Sequence, residues 1–108
     1  MEKRDTGRTI RRFEVEYSPE GGGDKQMGIS SNFSEKGLFI RTSRGYHPGS
    51  KVNILLKLDN GKTLAIKGLV VRTSKTGFSS MGAIKDGMGI EIIEAAPEYK
   101  DFLEKLNN

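Results

Sequence analysis

Apolar and polar positions alternate along most of this chain, and the alternation reads as strands. Phe13, Val15 and Tyr17 alternate with Glu14, Glu16 and Ser18, which predicts a half-buried strand with one wet face. Pro19 stops it, and Gly21, Gly22 and Gly23 supply a flexible connection. Residues 25–33 carry a weaker strand pattern, with Met27, Ile29 and Phe33 as its apolar positions. Residues 37–42, GLFIRT, are a clear β run, and residues 46–50, YHPGS, a turn. In residues 51–58, Val52, Ile54, Leu56 and Leu58 share one face. Asp59-Asn60-Gly61 then signals a hairpin, since Asn-Gly tolerates the positive φ of a type I′ turn. Residues 62–74 form a long strand in which Leu64 and Ile66 have one parity and Leu69 and Val71 the other. A bulge at Gly68 that flips the phase accounts for this. Residues 76–86 read as a polar loop and 88–94, MGIEIIE, as the last strand.

The pattern changes period at the C-terminus. Pro97 suits a first helical turn, and Tyr99, Phe102, Leu103 and Leu106 follow i, i+3, i+4, i+7, so a helix over 97–107 has one apolar face. It is too short to stand alone and must pack on something. About six closely spaced strands and one terminal helix make a mainly β protein, an antiparallel barrel or sandwich with a helical lid.

Composition narrows the reading. With 108 residues there is one domain, and 14 glycines favour turns and bulges over helices. The absence of cysteine rules out disulfides and thiolate metal sites and fits a reducing compartment. No apolar run has the length of a membrane span, and MEKRDTGR lacks the apolar region of a signal peptide. The expectation is a soluble cytoplasmic protein from a bacterium. The net charge of +4 favours anionic partners without choosing among them.

Catalysis is not expected. His47, the single histidine, lies in a turn beside Pro48; Glu14 and Glu16 sit on a wet strand face. Ser30, Ser31 and Ser34 have no evident base to activate them. Without cysteine or a histidine pair, no metal and no cofactor are expected either.

Two stretches carry more information. Residues 1–12 form a basic arm, separate from the domain at 13–108, in which Arg8, Arg11 and Arg12 lie just before the first strand. Guanidinium is a planar fork that binds phosphate bidentately, stacks on a base and addresses the O6/N7 edge of guanine. Arg8 and Arg12, four apart, reach two points of one ligand; Arg4 and Arg8 offer the same spacing. The turn at 31–37, SNFSEKG, holds the complementary groups. Asn32 has donors and an acceptor for a base edge, Ser34 a hydroxyl, and Gly37 tolerance of positive φ that lets a strand restart sharply. The plain alternative is a loop in which Asn32 and Ser34 bond their own backbone.

Together, in this order, arm and turn resemble the PilZ domain family of bacterial cyclic di-GMP receptors. The family pattern is Arg-x-x-x-Arg before the first strand and Asp/Asn-x-Ser-x-x-Gly between the second and third. Arg8 to Arg12 and Asn32 to Gly37 fit it. GLFIRT, PGSKVNILLKL, a strand ending VVR at Arg72, and GMGIEI before a Pro-led helix extend the resemblance from Arg8 to Leu106.

The resemblance implies a six-stranded antiparallel barrel of split-barrel type with a C-terminal helix. Cyclic di-GMP would lie against the outer barrel surface, clasped by the arm. Arg8 and Arg12 would take phosphates and guanines, and Asn32 and Ser34 a guanine edge or phosphate. Gly37 would shape the turn, and Arg11 would add stacking or charge. The clamped arm would present a new surface to an unidentified protein partner.

Two other readings stay open. One is a PilZ-like adaptor that binds protein and not nucleotide; such domains tend to lack the arginine pair. The other is a small basic barrel for RNA or single-stranded DNA, which expects aromatics interleaved with basic residues. Phe13 and Tyr17 alternate with glutamates instead, and Phe39 stands near only Arg41, so the stacking platform is poor, which disfavours nucleic acid.

Overall fold

The computed structural model describes residues 11–74 and 86–106. Arg4 and Arg8, residues 76–85 of the expected polar loop and residue 107 of the expected helix lie outside them. Six strands and one helix follow in order: β1 Phe13–Pro19, β2 Gln26–Ser30, β3 Gly37–Arg41, β4 Lys51–Lys57, β5 Thr63–Ser74, β6 Gly87–Ala95 and α1 Glu98–Leu106. All neighbours are antiparallel, and the order β1-β2-β3-β6-β5-β4 closes into a barrel through the β1–β4 pair. The expected six-stranded antiparallel barrel with a C-terminal helix is the fold. Closure leaves no open sheet edge, so a chain with a lean core can still satisfy its backbone.

The interior is built by the inward parity of each strand. Val15, Tyr17, Ile40, Val52, Ile54, Leu56, Val70 and Met88 are almost wholly enclosed. Ser30 is enclosed too, and its hydroxyl donates to the Phe39 carbonyl at 2.8 Å, which satisfies the polar group that burial would otherwise penalise. The helix plugs one end of the barrel. Phe102 meets Phe13 and Phe33 edge-on, each at 5.1 Å between ring centroids, and stacks on Tyr99 at 5.9 Å. The opposite end is closed by Tyr17 and Tyr46, edge-on at 5.4 Å.

Three expectations change in detail. The ladder does shift register beside Gly68, but the phase-flipping bulge expected there is not on β5, which keeps its phase: Leu64, Ile66, Gly68 and Val70 are all buried. Lys67 pairs with Glu94 and Gly68 with Ile92, so the extra residue is Ile93 on β6. A second shift, between Val70 and Arg72, makes Val71 the extra residue on β5. Both bulged residues point outward, about half exposed, because an extra residue has no ladder partner to orient it inward.

The hairpin turn also differs. The Gly61 N–H donates to the Leu58 carbonyl at 3.1 Å and the Leu58 N–H to the Lys62 carbonyl at 2.8 Å. The tight turn therefore centres on Asp59 and Asn60, with Gly61 following at φ 86°, which is the longer hairpin loop rather than a type I′ pair. Finally, β2 ends at Ser30, and α1 begins after Pro97. Phe33 belongs to the turn and not to a strand.

Candidate nucleotide site

The short pairing of β2 with β3 creates the turn. Only Ile29 with Arg41 and Ser30 with Ile40 pair, so the chain leaves the sheet after Ser30 and re-enters at Gly37. Between them the backbone folds on itself. The Ser34 N–H donates to the Gly37 carbonyl at 2.9 Å. The Ser34 hydroxyl donates to that carbonyl and accepts from the Gly37 N–H, both at 3.2 Å. Ser34 thus makes the local backbone bonds that a plain loop would make. Asn32 makes none among the described residues, and its side chain stands exposed.

Gly37 is needed for a reason the sequence does not state. Its φ is not in the left-handed region. A Cβ there would fall 2.3 Å from the carbonyl oxygen of Ile90 on the neighbouring strand. Close approach of β6, not positive φ, excludes a side chain. The Ile92 N–H also donates to the Lys36 carbonyl at 2.8 Å, so the turn is fastened to β6 on its outgoing side.

Behind the turn stands the helix. Phe33 packs edge-on against both Phe13 and Phe102, at 5.7 and 5.1 Å. The Tyr99 hydroxyl donates to the Ser34 carbonyl at 2.7 Å. Burial pushes the Tyr99 hydroxyl up to about 12. It is therefore a neutral donor throughout the physiological range.

Arg12 enters beside this turn. Phe13 pairs with Ser30, so Arg12 is in register with Ser31. Phe13 points inward, which turns Arg12 to the outer face. It is exposed and makes no ion pair among the described residues. Arg11 is engaged differently: its guanidinium pairs with Asp59 of the hairpin and lies 5.0 Å from the Phe13 ring centroid. Arg11 therefore fastens the root of the arm on the β4 side, and Arg12 is left as the described arginine beside the turn. Arg8 lies outside the described residues.

Beyond Gly37 the outer face continues as a shelf. Phe39, Gly89 and Arg72 lie in one row across β3, β6 and β5, flanked by Arg41 and Gly87. The Phe39 ring leans over Gly87, where a Cβ would fall 2.6 Å from two ring carbons. Arg72 crosses Gly89, its Cγ and Nε each 3.2 Å from where a Cβ would stand. With both glycines covered in this way, the Phe39 ring and the Arg72 side chain form the outer surface here, and an aromatic ring beside a guanidinium offers stacking and charge-assisted bonding to a flat, anionic molecule. The spaced glycines of GMG at 87–89 were the sequence signal for it. A groove of about 710 Å³ between the β4–β5 hairpin and α1, lined by Arg11, Asp59, Lys62 and Glu98 among others, includes neither Asn32 nor Ser34.

Among the described residues, no group of acidic, histidine or cysteine side chains can hold a metal, and no helix is long and apolar enough to cross a membrane. A family model described as PilZ domain matches residues 2–106. No curated protein and no solved structure matches the chain.

Proposed function

This chain belongs to the PilZ domain family, whose members bind cyclic di-GMP or act as adaptors, and from that membership and the geometry above we propose that it is a cyclic di-GMP receptor. Arg8 and Arg12 clamp the phosphates and guanines, Asn32 and Ser34 address a guanine edge, and Gly37 lets the turn lie flush against β6. The observation that carries the reading is the juxtaposition of Arg12, the exposed polar atoms of the turn and the Phe39–Arg72 shelf on one outer face.

The hydrogen bonds refine the roles. The Ser34 proton is spent on the Gly37 carbonyl, whereas one lone pair of its oxygen remains. A guanine N–H can use that lone pair; a phosphate oxygen cannot. Phosphate then falls to the arginines. Two charge-assisted arginine contacts contribute roughly 1.5–3 kcal/mol each. Ordering the arm opposes them by about 1–2 kcal/mol per backbone residue fixed. Two such contacts do little more than offset that ordering, so micromolar affinity, about −8 kcal/mol, requires further contacts from the turn and by stacking; closure of the arm is then the switch that offers a new surface to a protein partner. The reading carries with it a bacterial, cytoplasmic setting and no catalysis.

Calorimetric titration with cyclic di-GMP, with GTP as control, tests it. Arg8→Ala and Arg12→Ala are each expected to weaken binding about tenfold or more while leaving the circular dichroism spectrum unchanged. Wild-type affinity in either variant removes that residue from the site.

A further inference from the structure

The turn is held from behind by a single short helix. α1 has nine residues, too few to persist without packing. Part of that packing comes from the turn itself, through the Phe33 ring against Phe102 and the Ser34 carbonyl bonded to Tyr99. Tyr99 is only 5% exposed, and its hydroxyl reaches a residue 65 positions away in sequence. Ser34 is thus gripped on two sides. Its outward side chain faces the proposed ligand, and its backbone carbonyl faces the helix.

We propose that Tyr99 is a positioning residue of the nucleotide site, and that through it α1 senses whether the turn is occupied. The ligand in this proposal is that of the proposed function; the link between turn and helix stands independently of it. A ligand bonded to Asn32 and Ser34 fixes the turn, and a fixed turn holds the Ser34 carbonyl and the Phe33 ring still against α1. Coupling of this kind is reciprocal. Whatever loosens Tyr99 from Ser34 must weaken the ligand, and ligand must tighten the helix. A tyrosine that merely filled space would do neither, because phenylalanine keeps the ring.

The test is amide hydrogen exchange in wild type and Tyr99→Phe, each with and without saturating cyclic di-GMP. Without ligand, Tyr99→Phe is expected to speed exchange in residues 34–37 and in α1, with β4 and β5 unchanged. With ligand, wild type is expected to show slower exchange in α1, and Tyr99→Phe to lose that slowing while binding about three- to tenfold more weakly, the effect of one hydrogen bond. Unchanged exchange in ligand-free Tyr99→Phe overturns the positioning role. Saturated wild type with no slowing in α1 overturns the relay. The ligand-free comparison needs no nucleotide, so a protein that fails to bind cyclic di-GMP overturns the proposed function while this comparison still decides for or against Tyr99.

Discussion

At one end of the barrel the Tyr17 hydroxyl donates to the Arg44 carbonyl at 3.0 Å and lies 2.6 Å from the Thr42 hydroxyl. At the other end the Tyr99 hydroxyl donates to the Ser34 carbonyl at 2.7 Å. Each end uses a buried tyrosine to fasten a loop by its backbone, and each adds aromatic edges, Tyr46 in one case and Phe13, Phe33 and Phe102 in the other. What differs is the anchor. Tyr17 is on β1, which is laddered to β2 and β4 on both sides. Tyr99 is on a nine-residue helix with no ladder to any strand. The first loop is held by the sheet. The second is tied to the sheet at Lys36 and backed at Phe33 and Ser34 by a helix that it helps to hold in return, and this second loop carries the exposed groups of the candidate site. If Tyr99 positions the turn as proposed, the sheet-anchored end is the scaffold and the helical end the one that responds.

The sharpest way to break the comparison is to remove a ring from the helical end. Phe102→Ala deletes the contacts with Phe13, Phe33 and Tyr99 together. It is expected to cost about 3–5 kcal/mol in urea denaturation and to abolish nucleotide binding, because the turn loses its backing. Tyr17→Phe probes the other end. It removes the hydroxyl from Thr42 and from the Arg44 carbonyl, for about 1–3 kcal/mol, and is expected to leave affinity for cyclic di-GMP unchanged. A Tyr17→Phe protein that folds but no longer binds would erase the distinction between the ends.

The smallest expected effect is in alkali. Burial raises both tyrosines, Tyr99 to about 12. A phenol whose folded value lies above its unfolded value near 10 stabilises fully below pH 10. That stability is lost as pH rises through the folded value. Melting temperature should therefore fall between pH 10 and about 12 more steeply in wild type than in Tyr99→Phe. Equal slopes would show that the Tyr99 phenol is not favoured in its neutral form by the fold.

Much of the frame was legible in the chain, because alternation is a local property. Phe13, Val15 and Tyr17, or Val52, Ile54 and Leu56, declare their face within five residues, and the spacing of Tyr99, Phe102 and Leu103 declares the helix. The bulge at Gly68 was legible as a disturbance but not as a location, since which strand carries the extra residue depends on the partner's register. The same limit applies to the site. Asn32, Ser34 and Gly37 stood out by spacing and identity. That Gly37 answers to the Ile90 carbonyl, that Phe33 packs on Phe102, or that Tyr99 reaches Ser34 is decided by neighbours more than 50 residues away. The four-residue spacing to Arg8 already set Arg12 apart from Arg11 in the sequence, without a physical reason for the difference. The fold separates them, because Asp59 and the Phe13 ring engage one and neither engages the other.

The central claim is that arm and turn form one site for cyclic di-GMP on the helical end of the barrel. Its most direct test is calorimetric titration of wild type and Arg12→Ala with cyclic di-GMP. Saturable binding by wild type, silent toward GTP and weakened about tenfold or more in Arg12→Ala with the fold intact, is the predicted result. No binding by wild type, in calorimetry and in a second method at another temperature, would contradict the claim and leave a PilZ adaptor that acts through protein contacts.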